Sequence, residues 1–228
     1  MIKRYPANAE LLVILGQTRL AQKRDSDAIA RFQDAIKVQP KDPAGYTALS
    51  EYYIRNKNYD AAEDALKSGL DGTLQNVNLR MLMASVHILK NKDNKAIAEY
   101  EAILKDQPKT QPLVAINNLA SLLLDTRTDK ESLDRAAALS ETLKNTNLPQ
   151  FQDTVGWARF KQGDVKSAIS ILEAAVANIA AVRYHLGLSY AAAGQGEKAK
   201  EELEDAAKLE PDGTPLKQKI QDALKQNL

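Results

Sequence analysis

The sequence predicts an all-α solenoid made of repeated pairs of short antiparallel helices. An alanine recurs every 34 residues at Ala28, Ala62 and Ala96, and the same helical position is predicted at Ala168 and Ala199. A second small residue recurs on the first helix of each predicted pair, at Gly16, Ser50, Ala84, Ala120, Gly156 and Gly187. Small side chains at both positions let two helices cross closely. Because one pair cannot bury its own apolar stripe, the pairs are expected to stack.

Larger side chains and prolines complete the repeat. The side chains expected to fill the space toward the next pair are Phe32, Leu66, Tyr100, Leu172 and Leu203. Proline follows at Pro40, Pro108 and Pro211. It is expected to end the second helix, because it lacks the backbone N–H that the helical ladder needs.

This order of small, aromatic and proline positions resembles the tetratricopeptide repeat family. The resemblance implies a right-handed superhelix of six units, which span 9–42, 43–76, 77–110, 111–149, 150–179 and 180–213. Residues 1–8, with Tyr5 and Pro6, are interpreted as the end of a preceding repeat. Residues 214–228 predict an amphipathic capping helix. The fourth unit is longer than the others, and its extra residues are placed near 126–130.

Composition argues against several classes of function. Hydrophobic residues make up 44% and charged residues 27% of the 228 residues, which is ordinary for a soluble domain. A net charge of +1 argues against nucleic-acid binding, which usually shows a basic stripe. No cysteine is present to form a disulfide or a thiolate metal site. No apolar run approaches the roughly 18 residues that span a bilayer, so direct membrane insertion of this segment is not expected.

The sequence shows no pattern of catalytic residues. His87 and His185 are the two histidines, and neither has a ligand-like partner at helical spacing, so no metal site is predicted. No glycine-rich phosphate loop follows a predicted strand, and no Gly-x-Ser-x-Gly motif or cysteine nucleophile occurs. We therefore expect no enzymatic activity and no cofactor.

The family resemblance implies that the first helix of each unit lines a concave groove that binds a peptide or a helix of a protein partner. The family's groove pattern for the C-terminal tails of heat-shock chaperones is missing, since Val13 and Gln17 stand where it needs lysine and asparagine. Aromatic, amide and charged residues gather instead in the C-terminal half of the predicted groove. The candidate partner-binding residues are Asn117, Asn118, Asp153, Trp157, Lys161 and Tyr184.

Each candidate has a chemical reason and a structural alternative. Tryptophan and tyrosine bury a large area with few rotatable bonds, and an asparagine amide can pair with an extended peptide backbone. Trp157 directly follows Gly156, however, and a core position between repeats explains it equally well. A core position is the favoured interpretation of Phe160. Asn117 and Asn118 fit a role in bridging neighbouring helices as well as they fit partner binding.

Three segments narrow the resemblance to bacterial proteins. Residues 117–120, 153–157 and 184–188 resemble tetratricopeptide lipoproteins and secretion-associated proteins, including those of exopolysaccharide export and exosortase-type sorting. The resemblance implies a scaffold in the bacterial envelope, either periplasmic or tethered to a membrane through a segment N-terminal to this chain. A cytoplasmic location is the alternative.

Two further functions stay open at this point. The chain can be the non-catalytic arm of a larger transferase or protease. It can also assemble with itself, as a homodimer, through an exposed apolar face at its N-terminal end. That face is predicted to involve Leu11, Leu12, Leu15, Ile29 and Phe32.

Overall fold

The predicted all-α fold is confirmed. The computed structural model describes residues 8–106 and 112–226, and these residues form thirteen helices and no strand. The chain divides into two compact units, Met1–Thr110 and Gln111–Leu228. No helix in the described ranges is both long and apolar enough to cross a membrane.

The first unit contains three helical hairpins. Its helices are α1 (Ala9–Ala21), α2 (Asp25–Val38), α3 (Pro43–Arg55), α4 (Tyr59–Gly72), α5 (Val77–Leu89) and α6 (Asp93–Asp106). Each odd-numbered helix packs against the helix that follows it, and α1, α3 and α5 pack side by side. The first helices of successive hairpins therefore form one layer, and α2 and α4 each pack against the first helix of the next hairpin.

The second unit repeats this arrangement and ends in a single helix. Its helices are α7 (Leu113–Thr126), α8 (Lys130–Glu141), α9 (Pro149–Lys161), α10 (Val165–Ala175), α11 (Ala180–Ala192), α12 (Gly196–Leu209) and α13 (Pro215–Gln226). Helices α7, α9 and α11 form one layer, and α13 packs against α11 and α12. Ile220 of α13 is fully buried in that contact.

The recurring small residues lie where the two helices of a hairpin cross. The five recurring alanines are all fully buried: Ala28, Ala62, Ala96, Ala168 and Ala199. A Cβ atom added at Gly187 would lie 2.8 Å from the Leu203 Cγ and 3.2 Å from the Ala199 carbonyl oxygen. At Gly156 the corresponding distance to the Leu172 Cγ would be 2.6 Å. The spacing of these two hairpins therefore depends on the absence of a side chain at the glycine.

The turn inside a hairpin uses a left-handed residue that also recurs every 34 residues in the first unit. Lys23, Lys57 and Asn91 have φ values of 58°, 57° and 55°. In the second unit the corresponding residues are Gly163 and Gly194, at φ 84° and 73°. The next backbone N–H then donates to a carbonyl five residues earlier, as from Asn58 to Tyr53 at 2.9 Å. This bond closes the end of the first helix.

The fourth hairpin has a short internal turn and a longer connection to the next hairpin. The extra residues expected near 126–130 stay a prediction. The turn between α7 and α8 has three residues, whereas the connection from α8 to α9 spans 142–148. The Gln152 side-chain amide donates to the Thr146 carbonyl at 2.7 Å and also lies within hydrogen-bond distance of the Leu143 carbonyl. One α9 side chain thus satisfies backbone acceptors of this connection.

The prolines agree with the predicted helix ends where they are described. Helix α2 ends two residues before Pro40, and α12 ends two residues before Pro211. Tyr5, Pro6 and Pro108 lie outside the described residues, so the interpretation of the N-terminal end as part of a preceding repeat stays a prediction.

Part of the apolar face expected at α1 is exposed. Leu11, Ile14 and Leu15 are 50%, 51% and 39% exposed. Phe32 is buried, because its ring covers Gly16. The large apolar side chains that are exposed on this face lie on α1, and Phe32 of α2 is not one of them.

Replacing Gly187 with alanine is expected to destabilise the second unit. The new methyl group would press against Leu203 and the Ala199 carbonyl, and overpacking of this kind costs about 1–3 kcal/mol. Urea unfolding followed by helical circular dichroism measures the change. The control is Gly196→Ala on α12, where an added Cβ atom meets nothing within 4 Å. Equal midpoints for the two variants would show that the crossing has room to spare.

Candidate partner-binding site

The six candidate residues lie on three adjacent helices of the second unit. Asn117, Asp153 and Tyr184 are each the fifth residue of their helix, on α7, α9 and α11. Because α9 packs against both α7 and α11, the repeat places these three positions in one row. We call the surface formed around this row by α7, α9 and α11 the α7–α9–α11 face.

Trp157 lies at the centre of a stack of rings and is only 6% exposed. Its ring is nearly parallel to that of His185, with centroids 4.1 Å apart and an interplanar angle of 13°. It is also nearly parallel to the Phe160 ring, at 4.8 Å and 11°. Tyr184 extends the cluster, since its ring lies 5.5 Å from that of His185. Trp157 therefore ties α9 to α11 and is part of the buried structure beneath the face.

A buried hydrogen bond fixes the histidine in this stack. The His185 Nδ1 atom and the Asp153 Oδ1 atom are 2.8 Å apart, and both side chains are about nine-tenths buried. Because an ionised carboxylate can only accept, Nδ1 is the nitrogen that carries the proton and donates. A buried polar pair that satisfies itself in this way fixes the orientation of both side chains. Asp153 thus orients the ring on which Trp157 stacks.

Polar contacts also join α7 to α9. The Trp157 Nε1–H donates to the Asp125 carboxylate at 3.2 Å. The Thr154 hydroxyl donates to the Asn117 side-chain oxygen at 2.8 Å, and the Asn117 amide donates to Asn118 at 3.3 Å. Asn117 therefore bridges two neighbouring helices, which was one of its two predicted roles.

The groups that a partner can reach lie around this buried stack. Asn118, Phe160, Lys161 and Tyr184 are partly exposed, and Asp125 is exposed. The Lys161 ammonium lies 4.7 Å from the centroid of the Trp157 ring, in a cation–π contact. The candidates thus divide into a buried support and an accessible rim.

Negative charge lies near the rim. Burial raises the pKa of the Tyr184 hydroxyl, and the carboxylates of Asp125 and Asp222 raise it further. Asp222 belongs to α13 and its side chain is 50% exposed. Carboxylates from α7 and α13 therefore act on the same phenol of α11.

Sequence reasoning missed His185 and Asp125 as members of this cluster. His185 was considered only as a metal ligand, and Asp125 was not among the candidate partner-binding residues. The one available signal was register: Asp125 and Lys161 are both the thirteenth residue of their helices, and His185 directly follows Tyr184. Within the described ranges, no three His, Asp or Glu side chains converge as a metal site would require.

Comparisons with known proteins agree with this architecture. The tetratricopeptide repeat family model matches residues 15–76 and 156–214, which together make up more than half of the chain. No curated protein matches the sequence.

Several solved structures share the fold. A chain of the APC/C hetero-tetramer Cut9–Hcn1 has a TM-score of 0.72 and 16% identity, over 100% of this chain and 44% of that chain. PilW, a widely conserved type IV pilus biogenesis factor, has a TM-score of 0.68 and 16% identity, over 94% and 100%. PilF of Pseudomonas aeruginosa has a TM-score of 0.69 and 14% identity, over 94% and 96%. At such identities the likeness shows the fold alone.

Truncating Trp157 is expected to destabilise the second unit strongly. Trp157→Ala removes a buried ring from a stack between two helices, and such truncations cost about 3–5 kcal/mol. Trp157→Phe keeps a ring against His185 and should retain most of the stability. Denaturant unfolding followed by helical circular dichroism separates the two variants. An unchanged midpoint for Trp157→Ala would mean that the indole contributes to the surface rather than to the core.

Proposed function

Because the chain belongs to the tetratricopeptide repeat family, we propose that it is a non-catalytic interaction scaffold whose α7–α9–α11 face binds a segment of a protein partner. The observation that supports this site most is the division of the face into a fixed support and a partly exposed rim. Trp157, His185 and Asp153 hold one another beneath the surface. Tyr184 and Lys161 remain accessible above them.

The rim carries the side-chain chemistry that a peptide or a partner helix requires. Tyr184 and Phe160 offer large rigid surfaces, which are favoured at binding hot spots. Asn118 can donate to and accept from a peptide backbone. Because the support is already ordered, little side-chain freedom is lost when a partner binds.

We place this scaffold in a bacterial envelope assembly, either in the periplasm or held at a membrane by a segment outside this chain. Support for that setting comes from the segments 117–120, 153–157 and 184–188, which resemble envelope and export proteins. The setting predicts that the partner is found in envelope rather than cytosolic fractions.

Pull-down with the wild-type protein, a rim variant and a control variant tests the site. The wild-type protein should capture a partner from a bacterial envelope extract, and the variant Asn118→Ala/Tyr184→Ala should lose it while keeping its helical circular dichroism signal. Hot-spot truncations typically cost roughly 2 kcal/mol or more, which is about thirtyfold in affinity. Mass spectrometry identifies the captured protein, and binding is repeated with that protein purified.

The control for this experiment is Lys200→Ala/Glu204→Ala on α12, two residues that are 49% and 48% exposed. Equal capture by the rim variant and by this control would remove the α7–α9–α11 face as the binding site. Capture from the cytosolic fraction alone would contradict the envelope setting and leave the scaffold proposal in place.

The exposed face of α1 supports a second candidate function, self-assembly into a homodimer. Leu11 and Ile14 are both about half exposed on one helix. Burial of two such side chains favours association, at roughly 1.5–3 kcal/mol for each fully buried side chain.

Sedimentation of the wild-type protein over a concentration series is expected to show a dimer that Leu11→Ser/Ile14→Ser abolishes. The control is Leu74→Ser, an apolar residue of the same unit that is 94% exposed outside α1. A wild-type monomer at all concentrations would contradict the homodimer.

A further inference from the structure

The α7–α9–α11 face already holds one cation against its aromatic cluster. Lys161 and Trp157 are four residues apart on α9, and the ammonium lies 4.7 Å from the indole centroid. This ammonium is therefore attracted to the negative face of the indole ring. The contact shows that the buried Trp157 ring, which stacks on His185 and Phe160, attracts a positive charge that belongs to the rim.

A carboxylate adjoins the same ring system. Asp125 accepts the Trp157 Nε1–H at 3.2 Å, yet it remains exposed at the thirteenth position of α7. A single accepted hydrogen bond leaves most of the carboxylate's lone-pair sites available. The α7–α9–α11 face therefore presents an aromatic surface bordered by an accessible negative charge.

A second carboxylate reaches the neighbouring tyrosine from α13. The pKa of Tyr184 is raised by burial and then by the charges of Asp125 and Asp222, so both carboxylates act electrostatically on its hydroxyl. Asp222 contacts Gln218 at 3.0 Å and Lys225 at 3.5 Å, both on its own helix. Negative charge from two helices thus flanks one half-buried phenol.

We propose that the partner segment bound at the α7–α9–α11 face carries an arginine or a lysine whose charged end lies between the Asp125 carboxylate and the Tyr184 ring. This inference rests on the proposed function, because it names the chemistry of the partner at that same site. Charge complementarity is its basis: a basic side chain gains from the rings and from the carboxylates together. An acidic segment would oppose both Asp125 and Asp222.

Lys161 acts as an internal competitor in this arrangement. Its ammonium already occupies the Trp157 ring, and it would repel a second cation brought to the same cluster. A basic partner segment therefore displaces Lys161 toward solvent when it binds. Neutralising Lys161 should strengthen binding of a basic segment, which is the opposite of what loss of an ordinary contact residue does.

The test is an unbiased selection from a library of random dodecapeptides against the wild-type protein. Selected peptides should be enriched in arginine or lysine at one fixed position. Replacing an arginine at that position with citrulline, or a lysine with acetyl-lysine, removes the charge and should weaken binding at least tenfold. Trp157 is the single tryptophan of the chain, so its fluorescence reports binding at the site itself.

Three variants decide the mechanism. Asp125→Asn keeps an acceptor for the Trp157 Nε1–H and should weaken the basic peptide about tenfold, and Lys161→Gln should tighten it several-fold. Asp134→Asn, an exposed carboxylate of α8 with 60% side-chain exposure, is the matched control and should change nothing.

The outcomes separate the two proposals. Peptides that need Tyr184 but bind equally well with citrulline, or that are enriched in acidic residues, overturn the cationic partner and leave the scaffold face in place. A selection that yields no peptide sensitive to Tyr184→Ala contradicts both proposals. Weaker binding of the basic peptide by Lys161→Gln overturns the competition between cations.

Discussion

The close crossing of two helices at a small or missing side chain is the constraint on which the rest of the structure depends. At Gly187 and Gly156 the neighbouring leucines occupy the volume that a Cβ atom would need. Each crossing fixes the distance and the rotation of a hairpin. Since hairpins stack through their first helices, it also fixes which positions of successive helices face the same way. The row formed by Asn117, Asp153 and Tyr184 follows from this register rather than from any contact among the three.

The hairpin turns keep one backbone conformation with two kinds of residue. In the first unit a lysine or an asparagine adopts the left-handed conformation, whereas the second unit uses Gly163 and Gly194. The left-handed region is unfavourable for residues with a Cβ atom. The hydrogen bond that closes these helix ends helps to offset this strain, as from Asn58 to Tyr53 and from Lys92 to His87. The turn geometry is thus set by the repeat, and the residue type at that turn is secondary.

The helices could be predicted from the spacing of residues along the sequence. The burial of the candidate site residues could not, because it depends on contacts between repeats. Gly16, Ala28 and Pro40 lie within one repeat, so the pattern of a single chain segment reveals them. The burial of Trp157 depends on α11, which supplies His185 from the next repeat. The pairing of Asp153 with that histidine joins residues that are 32 positions apart. The spacing of residues along one helix does not reveal contacts with the next repeat. The sequence therefore could not show which of the six candidates are buried and which are accessible.

Because the α7–α9–α11 face has a buried support and an accessible rim, its rim residues can be substituted without altering the support. The buried stack and the Asp153–His185 hydrogen bond link α9 to α11, so substitutions there alter stability and binding together. Asp125, Lys161 and Tyr184 are at least partly exposed at the ends of these contacts. Their charge and size can change while the rings below stay in place. Affinity benefits from a surface that is already ordered, which the buried support provides. Specificity depends on the pattern of charge, which the rim residues provide, so the two requirements are met by different residues.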